Sequence, residues 1–542
     1  MLPYKYSKAS NAGFPCFYWP AADFSLPVPF VLYLAPYPDP TLMMPLPTPF
    51  ISVPLLTRDA LPTLGTHVLP GSWREPRIGI VHLGIGNFHR AHEALYTEEA
   101  MLTAGGDWGI CGVTLQGDVS KRDALMAQQG LYGVVERGAE GEKVTVARAL
   151  LEVLAMPHDH DTLFARLADP LVRIVSLTVT EKGYCRDPRT GDVDLNDALV
   201  AHDLAHPDAP RSVPGILVAA LRRRRANPFT VLSCDNLAHN GAALRQAVCS
   251  FARQLDPELA DWIESKVAFP STMVDRIVPA TTDSERASVI GALGYRDAAP
   301  VPCEPFRQWV IEDRFPAGRP AWDRVGAQLV DDVTPFELAK LRMLNGTHST
   351  LAYLSMLAGF ETIDAAISDP DMHHLIHTMM TEEIAPTLSV PASFDVLAYR
   401  DALLARYANP ALKHRCAQIA MDGSQKIPPR LLGTIAARIC AGQPFARLAL
   451  AVAAWMTFLR GHADDGSRYE IKDPLATKLQ ALAATANGEP EMLLAALLPV
   501  REIFPAALAS EPRFVRALQN ALQSLAHGAR AAIAAQSPGT AG

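Results

Sequence analysis

The stretch RIGIVHLGIGNFHRAHEALYTEEAML, residues 77–102, decides how this chain is read. Arg77 to Leu83 runs apolar, as a strand buried on both faces does. Gly84-Ile85-Gly86 then makes a tight turn, and from Asn87 onward the pattern is helical. A strand, a glycine turn and a helix N-terminus together form an anion site, because free backbone N–H groups and the helix dipole point at a pyrophosphate. The spacing is G-x-G-x-x-H, with His89 where a third glycine or alanine is expected, so the motif needs its context. The cofactor contacts it predicts fall on Gly84, Ile85, Gly86, Asn87 and Phe88.

The context is favourable. A second strand, WGICGVTL, follows the helix, and QGDVSKRDAL after it carries Asp118 near the strand end. An acid there accepts hydrogen bonds from ribose hydroxyls and favours NAD over NADP. Asp118 serves equally well as the N-cap of a helix beginning near Lys121. Further strands read as VRIVSLTVT (172–180) and FTVLSCDN (229–236), with helical segments between them. Such alternation implies an α/β fold, a Rossmann-like doubly wound sheet whose ligands bind at the strands' carboxyl ends.

Composition sets the outer limits. The chain has 542 residues, 49% hydrophobic and 20% charged, enough for more than one core. A net charge of −8 argues against nucleic acid as a partner. Eight scattered cysteines without a C-x-x-C pair fit reduced thiols in a cytoplasm. The first fifty residues hold 11 of the 44 prolines, which forbids helix or central strand there. Residues 1–60 are expected to be a proline-rich disordered tail or a start-site artefact, with the true start at Met43 or Met44. The apolar run FVLYLAP is too short to span a bilayer, so no membrane is implied. The nucleotide-binding domain then covers 61–330, and a mostly α-helical domain covers 331–542.

At the start of that helical half stands ELAKLRMLNGTHSTLAY, residues 337–353. On an α-helix Lys340 and Asn345 lie about 140° apart, with His348 about 80° from the lysine, within roughly 12 Å of length. All three share one side, either snorkelling to water or lining a pocket. Asn-Gly steps also end helices. Other polar groups suggest structural roles. His89 and His92 lack a third metal ligand on their helix; HDHD at 158–161 reads as an exposed turn; His373 and His377 sit on a surface helix without a partnering glutamate or cysteine. The run RRRR at 222–225 reads as a solvated helix end. No metal is expected.

The segment VAFPSTMVDRIVP (267–279) resembles the signature of the mannitol dehydrogenase family, the polyol-specific long-chain dehydrogenases. GIGNFHRAH, SLTVTEKGYC, VLSCDN, CEPFRQWVIEDRF and the K-x4-N-x2-H of Lys340, Asn345 and His348 resemble its other landmarks, over about residues 75–530. The resemblance implies a metal-independent, NAD(H)-dependent oxidoreductase of secondary alcohols. It implies Lys340 as general base, Asn345 and Asn236 as holders of the reacting oxygen, and His348 as orienter of the substrate hydroxyl. Asp275 would tune the lysine, and Glu337 would connect it to water.

Three segments, beginning at Cys303, Lys340 and Leu412, look more like the family's fructuronate branch than its mannitol branch. The expected reaction is thus the interconversion of D-mannonate and D-fructuronate, with a polyol such as mannitol or arabinitol as the alternative. A hexuronate carboxylate needs a cation, and Lys426 is the first candidate, with Arg415 and Arg430 behind it; each also reads as an ordinary surface charge. Mannitol 2-dehydrogenases carry an arginine where this chain has Gln418. Two rivals are a nucleotide sensor, which needs no base, and a hydroxyacid dehydrogenase of the phosphogluconate type, which lacks the VDRIVP block. The expected partner is a small sugar acid or polyol, and the chain a monomer or small homo-oligomer.

Overall fold

The computed structural model describes residues 53–537 other than 393 and 412; the expected proline-rich tail up to residue 52, with Met43 and Met44, lies outside them. Folded chain begins before the expected boundary at 61. Leu56 is fully buried and packs with Ala60 and Leu64 against Val135 and Val146, and Leu55 bridges to Arg296. A buried leucine contributes about 1.5–3 kcal/mol, which accounts for the anchoring of this lead-in segment.

The main sheet has five parallel strands: β1 (Ile78–Leu83), β2 (Gly109–Thr114), β3 (Leu150–Ala155), β4 (Ile174–Leu177) and β5 (Thr230–Ser233). Their spatial order is β3-β2-β1-β4-β5. Chain direction across the sheet therefore reverses at β1, the crevice where doubly wound sheets bind ligands. Period-two alternation sends Val81 and Leu83 into one core and Ile80 into the other, so both faces are covered. His82 shares the Ile80 face and is wholly buried.

A separate three-stranded sheet contains β6 (Thr272–Asp275), antiparallel to Gln308–Glu312. It ends beside the second half of the chain. From residue 331 the described residues form helices and turns with isolated bridges only. Their core runs from Met343 to Ile533 and is built on the wholly buried face of the Ala446–Phe458 helix. The run at 222–225 departs from expectation. Arg224 is buried and donates to the carbonyls of Leu167, Asp169 and Val172, tying off the turn before β4.

Candidate active site

A pocket of about 490 Å³ opens at the carboxyl ends of β1, β4 and β5; Gly86, Asn87, Phe88, Thr178, Asn236 and Lys340 are among its walls. Gly84 turns the chain there at φ +90°, and a Cβ on it would stand 2.3 Å from Thr178 O, so both conformation and space demand glycine. The N–H groups of Gly84 and Ile85 are spent on Val113 O. Those of Gly86, Asn87 and Phe88 belong to a helix's first turn, where no intrahelical acceptor exists. A Cβ on Gly86 would meet nothing nearer than 3.8 Å, so bare backbone faces open space. These residues fit a dinucleotide pyrophosphate.

Ile85 contributes backbone alone, since its side chain is buried against Gly112. Asn87 is held by Thr281 and Arg90. Asp118 caps helix Val119–Ala127 by accepting from Lys121 N, and it is partly exposed beyond the end of β2, so the capping role does not displace the ribose role. Thr180, also on the pocket wall, has φ +66° and is pinned by Asp235 through its backbone N–H. A β-branched residue there costs on the order of 1–3 kcal/mol, strain of the kind that collects at functional sites.

Lys340 reaches the pocket from the opposite side. It is 8% exposed, and its Nζ donates to Asn236 Oδ1 at 2.9 Å and Val274 O at 2.6 Å. Burial pushes its pKa down from the ordinary lysine value; Asp275 opposes this, while Arg406 and Arg430 add to it and Glu337 again opposes. Glu337 accepts from His239 N, and burial raises its pKa. Asp275 is not free beside the lysine: Arg406 grips its two oxygens at 2.6 and 3.1 Å and also holds Glu304.

The helix through 334–358 does not end at Asn345-Gly346. It passes from α-helix Thr334–Ala339 into a π-helix, Lys340–Gly346, and back to α-helix Thr347–Ala358. The wider turn voids the angles expected from 100° steps, though Lys340 and His348 still feel the same arginines, Arg406 and Arg430. Tyr407 OH donates to Leu344 O and Arg430 to Asn345 O, tending carbonyls in the wide turn. Gly346 is glycine for lack of room: a Cβ would stand 3.0 Å from Arg430 O, in a second π-helical segment, Pro428–Leu432. Asn345 and His348 are half-buried. His348 packs on Tyr407 and His414, its Nε2 has no partner among the described residues, and burial drives its pKa well down.

The three expected carboxylate binders separate. Arg430 lies by the helix that carries Lys340, donating to Ser349 Oγ at 3.0 Å. Lys426 is half-buried, bonds Ile419 O at 3.3 Å and has Asp422 at 4.0 Å. Arg415 is exposed at the start of helix Cys416–Ile419, and the loop delivers its neighbour His414 instead, onto His348. The spacing argument missed the Val274 carbonyl, Arg406, Glu304, Tyr407 and His414.

His89 does gain partners that the sequence reading lacked. His82 from β1 and Glu93 from the next helix join it: Glu93 Oε2 is 3.2 Å from His82 Nδ1 and 3.1 Å from His89 Nδ1. The imidazoles stack at 3.5 Å and 19°, and both present Nδ1 to the same Glu93 oxygen. The cluster is a hydrogen-bonded brace. His82 also meets Thr178, which donates to Gly84 O. His92 turns elsewhere, to Gln308 O.

Residues 78–324 match the mannitol dehydrogenase Rossmann domain, and residues 332–526 match the mannitol dehydrogenase C-terminal domain. An uncharacterized oxidoreductase of Escherichia coli (strain K12), YeiQ, is 46% identical over 85% of this chain and 96% of its own. The D-mannonate oxidoreductase of the same organism is 46% identical over 86% and 97%. Among solved structures, the Pseudomonas fluorescens mannitol 2-dehydrogenase in ternary complex with NAD and D-mannitol aligns at TM-score 0.76 and 40% identity, covering 88% of this chain and 98% of that one. The chain belongs to the mannitol dehydrogenase family, and with it to the NAD-dependent oxidoreductases that act on secondary alcohols without a metal.

Proposed function

We propose that the chain interconverts D-mannonate and D-fructuronate, with Lys340 as general acid and base. The observation that carries the substrate is Arg430: a half-buried guanidinium beside Asn345 with no carboxylate in ion-pair range among the described residues. A cation so placed lacks a counter-charge that a sugar acid supplies. Lys426, whose charge Asp422 balances only at 4.0 Å, adds to the same demand. The likeness to a D-mannonate oxidoreductase supports the reading.

The proton chemistry follows from the lysine's contacts. A neutral amine has two N–H bonds, and Asn236 Oδ1 and Val274 O take both. Its lone pair is then left for the substrate hydroxyl. Asn236 uses its carbonyl oxygen on the lysine, which frees its NH2 for the developing alkoxide, and Asn345 is the second donor in this reading. His348, neutral because it is buried, orients the hydroxyl through Nε2. Gly84 to Phe88 would hold NAD, with Asp118 at its ribose, and the cofactor would supply the hydride acceptor. In the reverse direction Lys340 returns the proton to the carbonyl oxygen.

A neutral polyol is the second reading, supported by the alignment with a mannitol 2-dehydrogenase. NADH oxidation with D-fructuronate and D-fructose side by side separates the two. Preference for fructuronate supports the sugar acid; preference for fructose leaves Arg430 and Lys426 without a carboxylate to bind.

A further inference from the structure

We propose that Arg406 is a positioning residue that masks the charge of Asp275 from Lys340 and so keeps the lysine available as a base near neutral pH. The inference rests on the reading of Lys340 as the base. Asp275 directly follows Val274, whose carbonyl holds Lys340 Nζ at 2.6 Å. A bare carboxylate at that point would stabilise the ammonium and keep the lysine protonated. Arg406 offsets this by geometry. Its Nη1 and Nη2 lie 2.6 and 3.1 Å from the Asp275 oxygens, while Nε and Nη2 take Glu304 at 3.0 and 2.7 Å. The planar fork is filled, and the guanidinium also lies 4.0 Å over the Phe306 ring.

Arg406 is thus anchored on the 304–306 loop independently of Asp275. Charge bookkeeping around the lysine supports the role. Asp275 faces Lys340 from β6, Arg406 from helix Val396–Tyr407, Arg430 from segment Pro428–Leu432, and Glu337 from its own helix. Arg406 bridges the two carboxylates, Asp275 and Glu304, and burial raises the pKa of Glu304 and of Glu337 alike. Remove Arg406, and the lysine's own proton becomes the nearest remedy for two buried carboxylates. The next residue, Tyr407, holds the π-turn through Leu344 O, so one helix end governs both the charge and the register of the site.

The test is the pH profile of kcat/KM for NAD-dependent oxidation of D-mannonate, or of D-mannitol where that is the better substrate. The acidic limb marks loss of the lysine's proton. In Arg406→Gln the limb should move up by about one pH unit or more, a roughly tenfold loss below the midpoint that recovers at high pH. Arg406→Lys, which keeps the charge, should restore most of the shift. Glu304→Gln should move the limb the opposite way, because the undivided guanidinium then faces Asp275 alone. A strut without an electrostatic role would lower activity by one factor at every pH. Equal loss across the profile in Arg406→Gln, or an unmoved midpoint in Glu304→Gln, overturns the proposal; Glu304→Gln decides it should the first variant not fold. Lys340→Ala is the control. If it retains near-normal turnover, the base assignment fails; if it is inactive and the midpoints stay fixed, only the role of Arg406 does.

Discussion

Two groups of ionisable side chains are buried on either side of the β1 crevice, and they are built differently. Under the glycine turn, His82, His89 and Glu93 face one another, with Ser176 and Thr178 closing the ring of partners. None of the three histidine–glutamate members lines the pocket. Around Lys340, by contrast, the amine stands on the pocket wall, and Arg430 has no carboxylate among the described residues. Each cluster carries a histidine whose pKa burial lowers, His89 in one and His348 in the other, and buried carboxylates. The difference lies in pocket access: Lys340 stands on the pocket wall and no member of the histidine–glutamate cluster does, so burial of charge alone does not distinguish a brace from a site.

That contrast is broken most directly at the lysine. Lys340→Ala should lower turnover about 10²–10⁴-fold while NADH still binds, as followed by NADH fluorescence titration. The pocket side is tested next by Arg430→Gln. Loss of a charged hydrogen bond should raise KM for D-fructuronate about 10–100-fold and leave D-fructose kinetics nearly unchanged; parallel losses for both sugars would make Arg430 a structural support. On the brace, Glu93→Ala should cost about 1–3 kcal/mol of stability in denaturant unfolding, with the activity of the folded fraction retained. A loss of activity at unchanged stability would mean the two clusters had been assigned the wrong way round.

The last test is a pH dependence of stability. Burial pushes His89 down to about 4 and His92 down to about 3. Between those values and the ordinary 6.5 the unfolded chain binds more protons than the folded one, so stability is full above about 6.5 and falls as pH drops. Each histidine contributes on the order of 1 kcal/mol per pH unit in that window. Thermal unfolding from pH 7 to 4.5 reads it, and a flat Tm would show the histidines already charged when folded.

The strands around the glycine turn were legible because a central parallel strand must be apolar along its whole length, as β1 is at Ile80, Val81 and Leu83. Lys340, Asn345 and His348 were legible as a spaced motif, and Asn236 and Asp275 through the family resemblance. Arg406 was not. An arginine in the last turn of a helix looks like compensation for the dipole, and its partners Asp275 and Glu304 lie 131 and 102 residues away in the chain. Arg224 was missed for the same reason, since its carbonyl partners are brought close only by the packed fold. The π-turn leaves no mark in composition either. Gly346 hinted at an interruption, but its cause is the Arg430 carbonyl on another segment. Arg415 shows the converse error, a cation adjacent in sequence to the residue that enters the site.

The π-turn at Lys340–Gly346 also makes the site's spacing a matter of residue count. A ladder bonded to the fifth residue holds one more residue than an ordinary turn, and that surplus sits between the lysine and the asparagine. Deleting one residue from 341–344 would let the helix relax to its regular form and would remove the wide turn between Lys340 and Asn345. The shortened helix would gain regular hydrogen bonds as the chemistry disappeared. Here the candidate site is built on an irregularity in its own scaffold, and the length of that segment counts alongside the side chains it carries.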